Sequence, residues 1–535
     1  MVWVAAAGNA LVAAEKVFST GSADPLVQFI NEQIRAGWVD NEIEPSEPAD
    51  DAEWCRRVYL DLVGHIPPAE ELEKFISDKD PAKRSKLIDR LLEEPSYVQN
   101  MTTIWSNLLI GRNPPDRTSK SGMQKFLREA FARNRPWNQI VYDLLTAEGH
   151  FEENGAVNFI LSKLMGNPRS EEYHVEITAA ATRLFLGMQV QCTQCHNHPF
   201  NDWKQNQFWE FNSFFRQTRR NDVEKYNPQT GRMDDDYSEL VWTDFQGPVY
   251  FENRQALVQV AYPRYFDRDI DPGADTERRV ELAKRMCHED PGQQLALAFV
   301  NRTWGHFFGY GFTRPVDDMG PHNAPSHPEL LARLADEFVK SGYDIKQLIR
   351  WICNSEAYNL TSRFNGKKNR VDDPSVGEVP LFSHMYVKTM TMEQLYDSLI
   401  IATAADRAGA AGYDQAQQQR ERMMQEFVRI FGGNEEEEPT VFSGSIPQAL
   451  LMMNGELVQQ AISGKPGTFL ADVAASSGRS NDTAIINRLY NATLGRNATS
   501  AEISKLRKFM GPNRAAFYQD LYWALLNSNE FIVNH

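Results

Sequence analysis

Apolar residues recur at three- and four-residue spacing along most of this chain, and that period commits it to packed helices. The first clear unit runs from Trp54 to Tyr97. There RRVYLDLVGHIPPAEELEKFISD reads as two helices joined at Pro67-Pro68, with Glu70 and Glu71 in the first turn of the second. LIDRLLEEPSYV keeps the period up to Pro95. IWSNLLIG, GMQKFLREAFARN and WNQIVYDLLTAEG follow, and YHVEITAAATRLFLGMQV (173–190) closes the run. The period resumes at Glu277, holds to Ala404 and returns over 441–535. At 535 residues the chain exceeds one compact core and is expected to divide into roughly two to four domains.

Residues 219–276 break the pattern. They hold Gly231, Gly247, Pro248, Pro263 and Pro272, the acidic run Asp234–Asp236, and β-rich pieces ELVWTDF, PVYFE and ALVQVAYPRYF. The expected fold is therefore mainly α: a multi-helix two-domain protein with a small β-containing insert. The first helical domain spans 46–218, the insert or bridge 219–276, and the second domain 277–404 with its C-terminal part over 441–535. Between those parts, 405–440 carries QAQQQRERMMQ and EEEE (435–438), an exposed helix and an acidic loop. RRVYLDLVGHIPPAEELEKF (56–75) resembles NRLYNATLGRNATSAEISKL (487–506), with Tyr59/Tyr490, Gly64/Gly495 and Glu71/Glu502 in register. No histidine or cysteine is shared by the two copies, so the repeat reads as a helix-pair scaffold.

Charge narrows the partners. The 56 Lys and Arg stand against 72 Asp and Glu, a net charge of −16, which argues against a general nucleic-acid or anionic-membrane binder. Residues 2–14, VWVAAAGNALVAA, are apolar but too short to span a bilayer. Val12-Ala13-Ala14 fits a signal-peptide cleavage site, although the basic leader is missing. Residues 1–14 are thus expected to be an export remnant, with the first helix of the fold as the other reading. No transmembrane span is expected, and the location is extracytoplasmic, periplasmic or secreted.

The most specific motif is Cys192-Thr-Gln-Cys195-His196, the c-type haem attachment pattern. Two thiols three positions apart can each add to one vinyl group of a porphyrin, and the next residue offers an imidazole to the iron. Three other readings stand beside it. Cys192, Cys195, His196 and His198 are four zinc-ligand types, though adjacent Cys195 and His196 rarely reach one tetrahedral ion unstrained. A dithiol or disulfide is the second, and an inert pair without cofactor the third. The remaining cysteines, Cys55, Cys287 and Cys353, lie in helical patterns and read as small buried side chains. Phe200, Trp203, Phe208, Trp209, Phe211, Phe214 and Phe215 follow the motif; they read first as core and second as a porphyrin wall.

A second cluster, FVNRTWGHFFGYGFTRPVDDMGPHNAPSHPELL (299–331), gathers His306, His322, His327, Asp317, Asp318 and Met319. Ser326 with Pro328 looks like a helix start. Met319, His306, His322 and His327 are the candidates for a distal iron ligand, and with Asp317 and Asp318 for a second metal site. Arg302 is a candidate partner for a haem propionate.

FLGMQVQCTQCHNHPFNDWKQNQFWEFNSFF, the 299–331 stretch, IPQALLMMNGELV and LYWALLNSNEFIVNH together resemble the planctomycete-type secreted cytochrome-like proteins, from Arg56 to His535. The resemblance implies paired domains of uncharacterised function, the first bearing the Cys-x-x-Cys-His motif at Cys192, Cys195, His196, His198 and Pro199. It matches Asn301, Arg302, Trp304, His306, Asp317, Asp318 and His327 to the second, which begins near 277. The leading expectation is an exported protein with one covalent haem c for electron transfer or haem-dependent oxidation, served by a redox partner with a basic face. The second is a secreted binding or assembly scaffold with a structural metal or disulfide at 192–198, zinc or no cofactor being the alternative to haem. The third, a metal-dependent hydrolase of extracellular polysaccharide on Asp317, Asp318, His322 and His327, has no tight helical ligand motif behind it.

Overall fold

The computed structural model describes residues 24–431 except 272, 274, 275 and 291, together with 446–476 and 482–535. The export segment 1–14 and residues 432–440 of the acidic loop lie outside the described residues.

The helices begin and end where local chemistry directs. Pro25 and Pro95 occupy first-turn positions, and the Asp24 carboxylate accepts the Leu26 N–H at the start of the Pro25–Asp40 helix. The Asp51–Val63 helix is capped by Asp50, which accepts from Ala52 and Glu53 N–H. It ends at Gly64 with φ +80°, a left-handed residue that glycine adopts without a Cβ penalty. The Asp482–Leu494 helix ends in the same way at Gly495, φ +73°. Each is followed by a shorter helix, Ala69–Ser77 and Ser500–Phe509. The two copies touch: Arg56, fully buried, donates to the carbonyls of Thr493 (2.8 Å) and Phe531 (2.6 Å). The Pro328–Lys340 helix departs from expectation, because His327 occupies the cap position without a side-chain cap bond. Ser326 Oγ instead meets the His327 ring at 3.0 Å.

The architecture is mainly α. The β pieces form small antiparallel sheets: the long hairpin Thr218–Asn227 with Arg232–Trp242, then Val249–Glu252 with Val258–Ala261, then Arg264–Tyr265 with Arg268–Asp269. Gly149–His150 adds a third strand to the long hairpin and ties the insert to the first domain. The Tyr413–Phe431 helix is exposed on one face only, since Met423 and Phe427 are buried in the core around Tyr396.

The cores divide elsewhere than the sequence pattern suggests. One contiguous core runs from Leu26 to Tyr386, joining the helices before the insert to those after it. At its centre Trp137 lies 4.3 Å from Trp105 and 4.5 Å from Phe299 between ring centroids, and Phe299 stacks on Phe338 at 5.2 Å. The second core gathers residues from Met390 to Phe531, and Leu60 and Ile66 reach into it from the first helical unit. A third, small core of Val175, Val190, Trp203, Phe208, Trp209, Val249, Phe251 and Ala261 lies beside the cysteine motif.

Candidate functional site

The Val175–Leu186 helix stops at Gly187, φ +65°, and the chain passes through Gln189 into a short 3₁₀ turn, Gln191–Gln194. Cys192 and Cys195 flank the end of that turn. Both thiols are free and exposed, while Thr193 between them is buried and donates to the Val190 carbonyl at 2.6 Å. From below, the Gln205–Asn212 helix holds the turn: Gln205 Nε2 and Trp209 Nε1 each donate to the Gln194 carbonyl at 3.1 Å. Gln205 Nε2 also reaches the Glu252 carbonyl at 2.9 Å, joining the motif to the insert. These anchors order a turn whose thiols still face solvent.

The two histidines of the motif differ in role. His196 Nδ1 lies 2.7 Å from the Asn197 carbonyl, which can only accept, so Nδ1 carries the proton and Nε2 keeps its lone pair. His198 Nδ1 accepts the N–H groups of Phe200 (3.2 Å) and Asn201 (2.8 Å), and its own N–H donates to the Trp203 carbonyl at 2.9 Å. His198 is thus a clamp for the 198–203 turn. Burial, then the neighbouring His322 ring, lowers its pKa. Burial and the Asp318 carboxylate raise the Cys192 thiol.

The second cluster meets the first only in part. The Met319 N–H donates to the Gly187 carbonyl at 2.7 Å, and a Cβ at Gly187 would stand 2.9 Å from Met319 Sδ. Asp317 accepts Gln189 Nε2 at 2.8 Å and pairs with Arg302 at 3.5 Å, so Arg302 is engaged with a protein carboxylate. His322 Nε2 lies 3.1 Å from Asp318 Oδ2, and its ring stands 5.5 Å from that of His198. A Cβ at Gly320 would meet Asn201 Nδ2 at 2.6 Å and His322 at 3.0 Å, a measure of how closely these loops pack. Asp317, Asp318, Met319 and His322 therefore form the seam between the motif and the later helices. His306 and His327 lie in other surroundings. His306 Nε2 donates to the Asp61 carbonyl at 2.9 Å. His327 packs among Phe312, Phe382 and Gly37. The sequence offered no reason to single out Gly187, Gln189, Asn201 or Gln205, whose role comes from long-range packing.

Two expectations meet the geometry directly. Among the described residues no three His, Cys, Asp or Glu side chains converge closely enough to hold a metal ion, so Cys192, Cys195, His196 and His198 do not form a preassembled zinc site. The following aromatics are core: Trp203, Phe208, Trp209, Phe211, Phe214 and Phe215 are buried, with Trp209 stacked on Phe251 at 5.8 Å. Phe200 alone of that group is exposed, at 76%. The donor set nevertheless suits a c-type haem: two accessible thiols, and an imidazole whose Nδ1–H is held by a carbonyl, the arrangement that orients a ligating histidine.

Buried histidines elsewhere give a pH expectation. Burial pushes His174 and His327 down to about 4. The unfolded chain binds their protons near 6.5, so their contribution is full above that value and is lost as pH falls from 6.5 toward 4. The free energy of unfolding is expected to fall across that window by on the order of 3 kcal/mol for each histidine, and the melting temperature with it. Thermal melts from pH 7 to 4 check it, with His174→Gln flattening part of the slope; an unchanged slope would contradict the assignment.

Among the described residues no helix is long and apolar enough to cross a membrane. No curated protein and no solved structure matches the chain. Two family models do: residues 29–220 match PSCyt2, a protein of unknown function (DUF1549), and residues 278–510 match PSD1, a protein of unknown function (DUF1553). The motif lies in the first segment and the Asp317–His322 loop in the second, so the seam described above joins the two. The chain carries a DUF1549 domain and a DUF1553 domain in tandem, paired domains of uncharacterised function.

Proposed function

We propose that residues 192–196 carry one covalently attached haem c, with Cys192 and Cys195 as the thioether anchors and His196 Nε2 as the proximal iron ligand. The observation that carries this reading is the pairing of two exposed thiols with an adjacent histidine whose Nδ1–H is held by the Asn197 carbonyl. When bound, the haem would supply one-electron transfer or haem-dependent oxidation. The protein's own contribution is positional. Gln205 and Trp209 fix the Gln194 carbonyl, His198 clamps the turn beyond the motif, and the Asp317–His322 loop backs it from the second domain. On this reading the protein acts outside the cytoplasm and exchanges electrons with a partner presenting a basic face.

The alternative is a secreted scaffold in which Cys192 and Cys195 form a disulfide, favoured by the exposure of both thiols on one turn. A reactive dithiol is less suited, because such thiols work through a lowered pKa and that of Cys192 is raised. Intact mass and absorbance of protein exported from a host with haem-c maturation separate the readings. A gain of one haem with a Soret band is expected, abolished by the double change Cys192→Ala and Cys195→Ala. His196→Ala is expected to keep the covalent haem and alter its spectrum. Loss of two hydrogens, with no haem, would overturn the proposal and support the scaffold.

A further inference from the structure

Residues 531–535 bridge the two large cores. Phe531 is buried in the second, and Arg56 covers its ring with the guanidinium carbon 5.8 Å from the centroid. Beyond it, Val533–Asn534 pairs antiparallel with Lys388–Thr389, and the Met390 N–H donates to the Ile532 carbonyl at 3.0 Å. The segment also lies against the Asp51–Val63 helix, whose Trp54, Val58 and Tyr59 belong to the first core. From that helix the fully buried Arg56 and Arg57 donate to the Phe531 and His535 carbonyls at 2.6 and 3.3 Å. Asp61 accepts Asn534 Nδ2 at 2.7 Å.

One group in this segment is unmatched. The His535 Nδ1 is buried and has no hydrogen-bond partner among the described residues. The charged groups around the ring are already committed. Glu53 accepts from Arg57, Thr361 and Ser362, and Glu530 holds Arg496 at 2.6 Å. On the strand side Lys388 is paired with Asp61. A second proton on the imidazole would find no free carboxylate and would share the site with the Arg56 and Arg57 guanidiniums. Burial first, then Arg56, pushes His535 down to about 4, and Glu53 and Glu530 offset only part of this.

Once the segment detaches, the ring takes its proton near the ordinary value of about 6.5. Detachment is thereby coupled to proton uptake, and each pH unit of acidification from about 6.5 toward 4 favours it by up to about tenfold. We propose that residues 531–535 are an acid-released latch between the two cores, with His535 as its proton-sensing group. Release undoes the strand pair with Lys388–Thr389 and withdraws Asn534 from Asp61. The latch does not depend on haem.

Amide hydrogen exchange of the full chain at pH 7 and 4.5, corrected for the chemical exchange of a free amide, tests it. The protection of the Met390 amide is expected to fall roughly fiftyfold across that interval. At pH 4.5 it should stand well below that of Leu144, which is fully buried in the first core and opens only with the whole fold. In His535→Gln the change at Met390 should shrink to within about threefold, while Leu144 keeps the pH dependence that His174 and His327 give it. Equal protection of Met390 and Leu144 would overturn the latch, because the segment would then leave only on global unfolding. An unchanged pH dependence at Met390 in His535→Gln would overturn the assignment of His535. The ring signals of His535 in the wild-type protein decide the same point even if the variant fails to fold. A titration midpoint below 5 supports the proposal, and one near 6.5 with Met390 still protected would overturn it.

Discussion

Asp61→Ala is expected to destabilise the protein by about 3–5 kcal/mol. Asp61 is 2% exposed in the last turn of the Asp51–Val63 helix, and three distant segments donate to its carboxylate: Lys388, Tyr358 and Asn534. The same Lys388 ammonium donates to the carbonyls of His306 and Phe307 at 2.8 Å, closing the Gln294–Phe308 helix. Removing the carboxylate leaves that ammonium buried with carbonyls alone. Burial already lowers the Lys388 pKa, so in the variant the amine is expected to shed its proton and the loss to deepen as pH falls. Asp61→Asn, which keeps an acceptor, should lose less. Adding Lys388→Met to Asp61→Ala should recover a large part of the loss, because the unpaired charge goes with it. Chemical denaturation of the three variants is the measurement. A loss below about 1 kcal/mol for Asp61→Ala would mean that water solvates this cluster.

Asn301→Ala is expected to cost about 3 kcal/mol and to loosen the loop that faces the cysteine motif. Asn301 is fully buried and uses both ends of its carboxamide. Its Nδ2 donates to Thr313 Oγ1 (2.8 Å) and the Val316 carbonyl (2.9 Å), and its Oδ1 accepts the N–H groups of Phe312 (2.7 Å) and Thr313 (3.3 Å). Those bonds shape residues 312–316, and the chain leaves them at Asp317, Asp318 and Met319. Hydrogen exchange should therefore rise across 311–323 and at the Met319 amide, which is bonded to the Gly187 carbonyl. Asn301→Asp should not rescue the protein, since a carboxylate would face the Val316 carbonyl without a proton to give. Unchanged exchange in that segment, with folding intact, would show that Gly187 and Asp317 hold the loop without Asn301.

Much of this is legible in the sequence. The two helix pairs at 56–75 and 487–506 end at Gly64 and Gly495 because the left-handed terminus is a local requirement that glycine meets. The β pieces over 219–276 stood out by their turn residues and their β-rich composition. The Cys192-x-x-Cys195-His196 motif was visible because its chemistry lies within five positions.

Other features were not legible, and each involves partners far apart in the chain. The pattern break at 219–276 separates two helical domains along the chain, and it gave no sign that Trp137 and Phe299 from its two sides share one core. His306 and His322 looked equivalent in sequence. The fold sends one to the Asp61 carbonyl and the other to Asp318 at the motif. The sequence did not show that two backbone N–H groups would meet His198 at Nδ1.

Helical period, turn glycines and the cysteine spacing are short-range properties, governed by backbone sterics and by side chains within a few residues. They determined the class of fold and singled out the Cys192–His196 stretch by its residue types and spacing. Which donors converge is a long-range property: Asp61 with Lys388, Gln189 with Asp317 and Gly187 with Met319 are joined only when distant apolar faces are buried together. That burial, non-directional in itself, chose the partners, because each buried polar group then had to find a bond among whatever the packing brought near.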